Sequence, residues 1–203
     1  MRALTLLALA LLLAGCVSGP RHEQPPADPA VQRRELQQLQ QFSFEGRLAA
    51  AAGGEGFNAD LSWKQQGTRS TVDLRAPLGF GSARVINDDD GVKFTSSRGE
   101  SLTGADAIAE LERRLGFAAP IGALRYWILG VADPARPATE TADADGRLSV
   151  LEQDGWRVEY GEYRSSAGAT AARATASARE LPRRVTLTRE QIRLRLVVNR
   201  WVW

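Results

Sequence analysis

Residues 42–64, with the sequence FSFEGRLAAAAGGEGFNADLSWK, decide the fold class. Apolar residues alternate with polar ones in the first part of this segment, residues 42–48, and again in the last part, residues 57–64. A period of two residues is typical of a β-strand with one buried face. The glycine-rich residues 49–56 between the two parts predict the connection of a hairpin. The segment therefore predicts an antiparallel pair of strands.

The same period recurs further along the chain. It predicts strands at residues 71–75, 82–86, 92–95, 148–152, 156–160, 183–187 and 192–198. Short polar turns join several of these strands. The run Asp88-Asp89-Asp90-Gly91 favours such a turn over a calcium loop, because the later ligands of a calcium loop are missing. We therefore expect one antiparallel sheet.

Helical periodicity interrupts the strands in the middle of the chain. Asp106 is a predicted helix cap, and Gly116 is suited to end the helix that follows it. That helix would carry Ile108, Leu111 and Leu115 on one face. The apolar residues 121–129 predict a second short helix.

Outside this central pair of helices the signals are weaker. Residues 31–41 predict a short amphipathic helix, and residues 133–145 predict a polar loop. The order of strands, helices and strands predicts an α+β fold. We expect a strongly curved antiparallel sheet, or an incomplete, open barrel, with helices over one face.

Several functional classes are disfavoured. The single histidine, His22, precedes the predicted folded part, and the chain has no nucleophile elbow, zinc-binding helix or phosphate-binding glycine loop. The formal net charge is +2, and basic residues alternate along strands instead of forming a stripe. We therefore predict no enzymatic activity, no metal, no bound cofactor and no nucleic-acid partner.

The N-terminus predicts export and lipid modification. After Arg2 the chain is apolar as far as Ala14, which is typical of a secretory signal and too short for a membrane span. This segment ends in Leu13-Ala14-Gly15-Cys16, the pattern cut by the lipoprotein signal peptidase. An ordinary signal peptide with a chance cysteine is the alternative interpretation, although Cys16 is the only cysteine in the chain.

The lipoprotein interpretation divides the chain into three parts. Residues 1–15 would be the signal peptide, residues 16–30 a flexible proline-rich tether, and residues 31–203 a single domain. Cys16 would carry the covalent S-diacylglycerol and N-acyl lipid. Val17, where an aspartate would signal retention in the inner membrane, favours the periplasmic face of the outer membrane of a Gram-negative bacterium.

Two features suggest a role for the predicted domain, and each has a plainer explanation. The abundant apolar side chains could enclose a cavity for acyl chains, or they could simply fill a core. The segment Ala76-Pro77-Leu78-Gly79-Phe80-Gly81 could project Leu78 and Phe80 towards a membrane, or Leu78 could fold back onto the sheet.

Motifs spread along nearly all of the mature chain resemble the LolB family of outer-membrane lipoprotein receptors. They are Phe44-x-Gly46-Arg47, Trp63, Pro77-Leu78-Gly79, Leu115-Gly116, Pro120, Leu124, Trp127-Ile128-x-Gly130, Gln153-Asp154-Gly155-Trp156-x-Val158-x-Tyr160, Leu181-Pro182-x-x-Val185 and Trp201. Phe80 makes the loop more apolar than the leucine alone requires. The segment of residues 165–178 is longer than the corresponding loop usually is in the family.

The resemblance implies an open antiparallel barrel with a helical lid over an apolar cavity. It implies a monomeric receptor that accepts triacylated lipoproteins from the periplasmic carrier LolA and inserts them into the inner leaflet of the outer membrane. Leu78 would be the loop leucine needed for insertion, with Phe80 beside it. The expected cavity residues are Phe44, Leu61, Trp63, Leu74, Val85, Ile108, Leu111, Trp127 and Ile128. A lipid-anchored binder of another hydrophobic ligand is the alternative function.

Overall fold

The computed structural model describes residues 28–77, 81–166 and 179–202. Cys16, Leu78, Phe80 and most of the segment 165–178 lie outside the described residues. The described helices and strands are, in chain order, α1 Pro29–Gln37, β1 Gln41–Ala52, β2 Glu55–Gln66, β3 Arg69–Arg75, β4 Ser82–Asp88, β5 Gly91–Ser96, β6 Ser101–Thr103, α2 Gly104–Leu115, α3 Ile121–Trp127, β7 Thr139–Ala142, β8 Leu148–Gln153, β9 Trp156–Ser166, β10 Arg179–Arg189 and β11 Ile192–Val202.

The strands form one antiparallel sheet of eleven strands in the order β6-β5-β4-β3-β2-β1-β11-β10-β9-β8-β7. The first and last described strands meet in the middle of this sheet, where Ser43 of β1 lies opposite Val202 of β11. Strands β6 and β7 are its two edges, and within the described chain they do not pair with each other. The predicted α+β class with an open antiparallel sheet is therefore confirmed.

The hairpin that opens the sheet has the predicted alternation but a shorter connection. Phe44, Leu61 and Trp63 are buried on one face, as their spacing predicts. The prediction of a connection over residues 49–56 is wrong, because β1 continues to Ala52 and β2 already begins at Glu55. The alanines that follow Leu48 extend the strand, and only two glycines, with φ angles of 57° and 90°, form the turn.

A bulge marks the seam between β1 and β11. The register shifts between Glu45 and Gly46. A Cβ atom on Gly46 would lie 2.5 Å from the carbonyl oxygen of Val197, which no side chain could tolerate without a backbone shift. Glycine is therefore required where the two strands approach each other most closely.

The helices begin and end near the predicted positions. Helix α2 starts at Gly104, so Asp106 lies in the first turn and is not the cap, while Gly116 ends the helix with a φ of 78°. Helix α3 is shorter than predicted and ends at Trp127. Helix α1 begins at Pro29, inside the predicted tether, because the Asp28 carboxylate accepts a hydrogen bond of 2.8 Å from the Ala30 amide.

The last part of the chain contains more strand than its pattern indicates. Strand β7, Thr139–Ala142, lies within the predicted polar loop 133–145, and β10 and β11 extend beyond their predicted ends. All four residues of β7 are exposed. An edge strand without a buried face carries no apolar alternation, so sequence periodicity could not reveal it.

Two apolar clusters form the interior. The main cluster joins α1 and α3 to the inner face of β1, β2 and β8–β11. The second cluster joins α2 to β4 and β5, and its buried members are Val85, Val92, Phe94, Ala107 and Leu111. In the described part of the chain, no helix is long and apolar enough to cross a membrane.

Candidate functional site

An apolar pocket lies between the inner face of the sheet and the helical segment from α2 to α3. Its volume is about 110 Å³. Every side chain that lines it is apolar. They are Leu48, Leu61, Trp63, Val72, Leu74, Val85, Leu111, Leu115, Phe117, Ala119, Ile121, Leu124, Ile128, Leu187, Leu194 and Leu196. Since the lining includes Leu61 of the main cluster and Leu111 of the second, the pocket lies where the two clusters meet.

Most of the residues predicted from the sequence to line a cavity come together at this pocket. The structure places Leu61, Trp63, Leu74, Val85, Leu111 and Ile128 in its lining. Sequence analysis did not single out the pocket residues of β11, Leu194 and Leu196, although their alternation was visible. It also did not single out Ile121 and Leu124, which line the pocket from α3.

Three predicted residues lie elsewhere. Phe44 and Trp127 are buried in the main cluster without lining the pocket, and the Phe44 ring stacks on Trp63 with centroids 6.2 Å apart. Ile108 is 49% exposed. Helix α2 packs through Ala107 and Leu111, with Leu115 one turn further, so Ile108 is rotated towards solvent.

A buried glutamine attaches the end of α3 to the sheet. The Gln153 side-chain oxygen accepts hydrogen bonds from the Trp127 indole at 2.7 Å and from the Asp133 amide at 3.0 Å. Its amide nitrogen donates to the carbonyls of Asp133 and Arg136, each at 3.0 Å. Gln153 is only 3% exposed, and its side-chain oxygen and nitrogen each form two hydrogen bonds. Sequence analysis placed this residue in a motif of the family and assigned it no role of its own.

A second buried glutamine, Gln65, forms hydrogen bonds within the β2–β3 hairpin. The Gln65 oxygen accepts hydrogen bonds from the Ser70 hydroxyl at 2.6 Å and the Trp63 indole at 3.3 Å. Its amide nitrogen donates to the Gly67 carbonyl at 2.9 Å. The same carbonyl accepts a hydrogen bond of 3.4 Å from Arg125 of α3. Helix α3 is therefore attached to the β2–β3 turn as well as to the β8–β9 hairpin.

Helix α2 is held differently. Its contacts with the sheet are the apolar second cluster and one arginine, Arg114, which pairs with Glu100 and lies 4.8 Å from the centre of the Phe94 ring. Within the helix, Glu110 pairs with both Arg113 and Arg114. Hydrogen bonds from Arg113 and then from Arg114 lower the pKa of the Glu110 carboxyl from 4.5 to about 2.

An opening of about 390 Å³, which we call the mouth, adjoins the pocket. It shares Leu74, Leu111 and Leu115 with the pocket lining. Ala76 and Gly81 form part of its edge, and the Ala76 amide donates a hydrogen bond of 3.0 Å to the Gly81 carbonyl. The segment 77–80 therefore leaves the sheet beside the mouth.

The fold resembles that of a solved structure of low sequence identity. A crystal structure of a DUF1329 family protein from Desulfovibrio piger superposes with a TM-score of 0.55, covering 87% of this chain and 90% of that chain at 8% identity. At this identity the likeness concerns the fold alone.

Sequence comparison identifies the family. The model of the family described as outer membrane lipoprotein LolB matches residues 40–201. A protein named outer-membrane lipoprotein LolB from Nitrosococcus oceani is 33% identical, over 94% of this chain and 92% of its own length. Proteins of the same name from Alkalilimnicola ehrlichii and Azoarcus sp. are 33% and 31% identical, over 95% and 97% of this chain and 92% and 94% of their own lengths. The chain, with its apolar pocket under helices on an open sheet, therefore belongs to the outer membrane lipoprotein LolB family.

Proposed function

We propose that this protein is the outer-membrane receptor for lipoproteins, anchored at the periplasmic face by lipid on Cys16. It accepts triacylated lipoproteins from the carrier LolA as a monomer and inserts them into the inner leaflet of the outer membrane. The observation that carries the proposal is the pocket between sheet and helices, whose lining contains no polar side chain, in a chain of this family.

The energetics of the cargo explain why such a pocket is needed. Burial of one methylene group is worth about 0.8 kcal/mol, so three acyl chains carry on the order of tens of kcal/mol. Cargo of this kind can move only between sites of similar apolarity. Transfer down a gradient of affinity, from carrier to receptor to membrane, requires no nucleotide, no metal and no catalytic group.

The pocket must enlarge before it can hold an acyl chain. An apolar cavity of roughly 150 Å³ accommodates one benzene molecule, and the pocket here is smaller, at about 110 Å³. The covering helices therefore act as a lid.

Helix α2 is the part of the lid that moves. Lifting it from the sheet disrupts the small second cluster, the packing of Leu115 and the contacts of Arg114 with Glu100 and Phe94. Lifting α3 would instead break the buried hydrogen bond from the Trp127 indole to Gln153. Gly104 begins α2 and Gly116 follows its last residue, with φ angles of 59° and 78°. Glycine can absorb a change in backbone direction at such positions.

The loop between β3 and β4 inserts cargo into the membrane. Leu78, with Phe80, enters the leaflet and disturbs its packing. The apolar sequence of residues 76–81 supports this role, because apolar residues exposed in a loop often mark a contact with a membrane or a partner. We expect a charged residue at position 78 to impair insertion, because a charge resists entry into the leaflet.

A transfer assay tests the proposal. The mature chain with Cys16→Ser is mixed with LolA that carries a triacylated lipoprotein, and acceptance is measured by pull-down, then insertion by flotation with liposomes. We expect wild type to accept and insert, and Leu78→Glu to accept without inserting. Val31→Glu, which places the same charge on an apolar residue of α1 that is 47% exposed, serves as the control and should behave as wild type.

Two outcomes would contradict the proposal. If wild type accepts no cargo, the receptor function is wrong. If that protein nevertheless binds a free fatty acid in its pocket, the alternative holds, and the chain is a lipid-anchored binder of another hydrophobic ligand.

A further inference from the structure

We propose that the mouth is the exit for acyl chains, and that the arginines on its rim bind the phosphates of anionic phospholipids in the target membrane. The rim arginines are Arg98, Arg113 and Arg114. This inference rests on the proposed function and extends it, because it assigns a membrane-facing surface and a lipid class.

Apolar side chains line both the pocket and the adjoining part of the mouth. Leu74, Leu111 and Leu115 contribute to both linings, and Phe57 and Phe94 continue the apolar surface into the mouth. An acyl chain that slides along this path exchanges one apolar contact for another. It passes no charged group until it reaches the rim, so the transfer carries no desolvation penalty on the way.

The position of the mouth fixes how it meets a bilayer. Ala76 and Gly81 lie on its edge, and their hydrogen bond closes the base of the segment 77–80. Contact of Leu78 with the leaflet, as proposed above, would bring these two edge residues, and with them the mouth, to the headgroup layer. Cargo therefore leaves directly into the leaflet and never crosses water.

The charges around the mouth suit a phosphate. Among the described residues, no carboxylate belongs to its lining. Arg113 and Arg114 share Glu110, and Arg114 also pairs with Glu100. Arg98 forms no ion pair within the described residues, and it is exposed. Arginine binds phosphate through a planar fork of donors, and at a membrane surface it is attracted to anionic lipid.

The outer face of the sheet offers a matched comparison. Arg193 and Arg195 on β11 are exposed and, among the described residues, likewise form no ion pair. They lie opposite Ala51 and Ala49 of β1, far along the sheet from β5 and β6. Replacing both with glutamine changes the net charge as much as replacing Arg98 and Arg113 does.

Vesicle binding and cargo delivery test the inference. The mature chain with Cys16→Ser is compared with its Arg98→Gln/Arg113→Gln and Arg193→Gln/Arg195→Gln derivatives. Vesicles are phosphatidylethanolamine with or without phosphatidylglycerol. Binding of the unloaded chain and delivery of cargo are measured separately, and circular dichroism verifies folding.

We expect the mouth variant to bind phosphatidylglycerol vesicles roughly tenfold more weakly, from the loss of two surface arginines, and to deliver cargo more slowly. The outer-face variant should match wild type, and high salt should remove the difference. Equal weakening of both variants, or no effect in the mouth variant, would overturn the inference. Failure of every protein to accept cargo from LolA would instead refute the proposed function, and binding of the unloaded chain would still decide the role of the rim.

Discussion

Helices α2 and α3 cover the same pocket but are attached to the sheet by different forces. Helix α3 has 7 residues and is attached near its C-terminal end by hydrogen bonds, from the Trp127 indole to the buried Gln153 and from Arg125 to the Gly67 carbonyl. Helix α2 has 12 residues, yet it is held by the small second cluster, by Leu115 against the main cluster and by ion pairs at the surface. Buried hydrogen bonds are costly to break singly, whereas apolar contacts can be exchanged for those of a ligand. The longer helix is therefore the one suited to move.

The strongest test of this difference removes the anchor of α3. Gln153→Leu would leave the buried Trp127 indole N–H without a partner and would remove three part-buried hydrogen bonds to Asp133 and Arg136. We expect the free energy of unfolding to fall by at least about 3 kcal/mol, since each unsatisfied buried group costs about 1–3 kcal/mol. Urea denaturation followed by tryptophan fluorescence measures the change. The control is Gln66→Leu, at an exposed position of β2, which should change stability little.

A milder substitution separates attachment of the lid from overall stability. Val92→Ala weakens the cluster under α2, at a residue that does not line the pocket. The expected loss of stability is roughly 1–2 kcal/mol. Because binding requires α2 to lift, affinity for a fluorescent fatty acid should rise, by up to about tenfold.

Val158→Ala provides the control for that experiment. Val158 is fully buried in the main cluster and also lies outside the pocket lining. Its substitution by alanine removes the same two methyl groups as Val92→Ala does. It should lower stability by a comparable amount without raising fatty-acid affinity. An equal rise in both variants would mean that opening is not specific to α2.

A fall in pH is expected to have the smallest effect, a loss of stability confined to α2. Because hydrogen bonds from Arg113 and Arg114 lower the pKa of Glu110 from 4.5 to about 2, its contribution to stability is present above pH 4.5 and is lost as the pH falls towards 2. Protection of the α2 amides from hydrogen exchange, corrected for the intrinsic pH dependence of exchange, should decrease in that window, while protection in α3 should not, since Gln153 does not titrate.

Carboxyl chemical shifts measured by NMR check the titration directly, and Glu110→Gln should abolish the acid dependence of exchange in α2. A midpoint for Glu110 near 4.5 would show that the two arginines do not stabilise its charged form in solution.

The alternation of apolar and polar residues in the sequence was sufficient to predict most of the strands of the sheet. The alternation from Phe57 to Trp63 depends on nothing outside the strand, so it predicts the buried face correctly. The packing of α2 could not be predicted in the same way. Ile108 and Ala107 both stand at helical spacing from Leu111, and the position of β5 decides which of them is buried.

The hydrogen bonds that attach α3 could not be predicted from the sequence, for a different reason. A glutamine in a strand is ordinarily exposed, and the group that makes burial of Gln153 favourable is the Trp127 indole, 26 residues away. Likewise, sequence could identify Phe44 and Trp127 as interior residues. Only their positions in three dimensions show that they fill the core and do not line the pocket.

The pairing of β1 with β11 has a consequence for how the chain folds during synthesis and export. Ser43 and Val202, joined by a hydrogen bond of 3.3 Å, are separated by 159 residues. A chain that emerges N-terminus first can form the β1–β2 hairpin at once, but the other edge of β1 stays unpaired until β11 arrives. Such long-range pairing slows folding, and an open strand edge invites aggregation in the meantime. The centre of this sheet is thus completed last, and the unfinished chain is open to aggregation for as long as that edge is exposed.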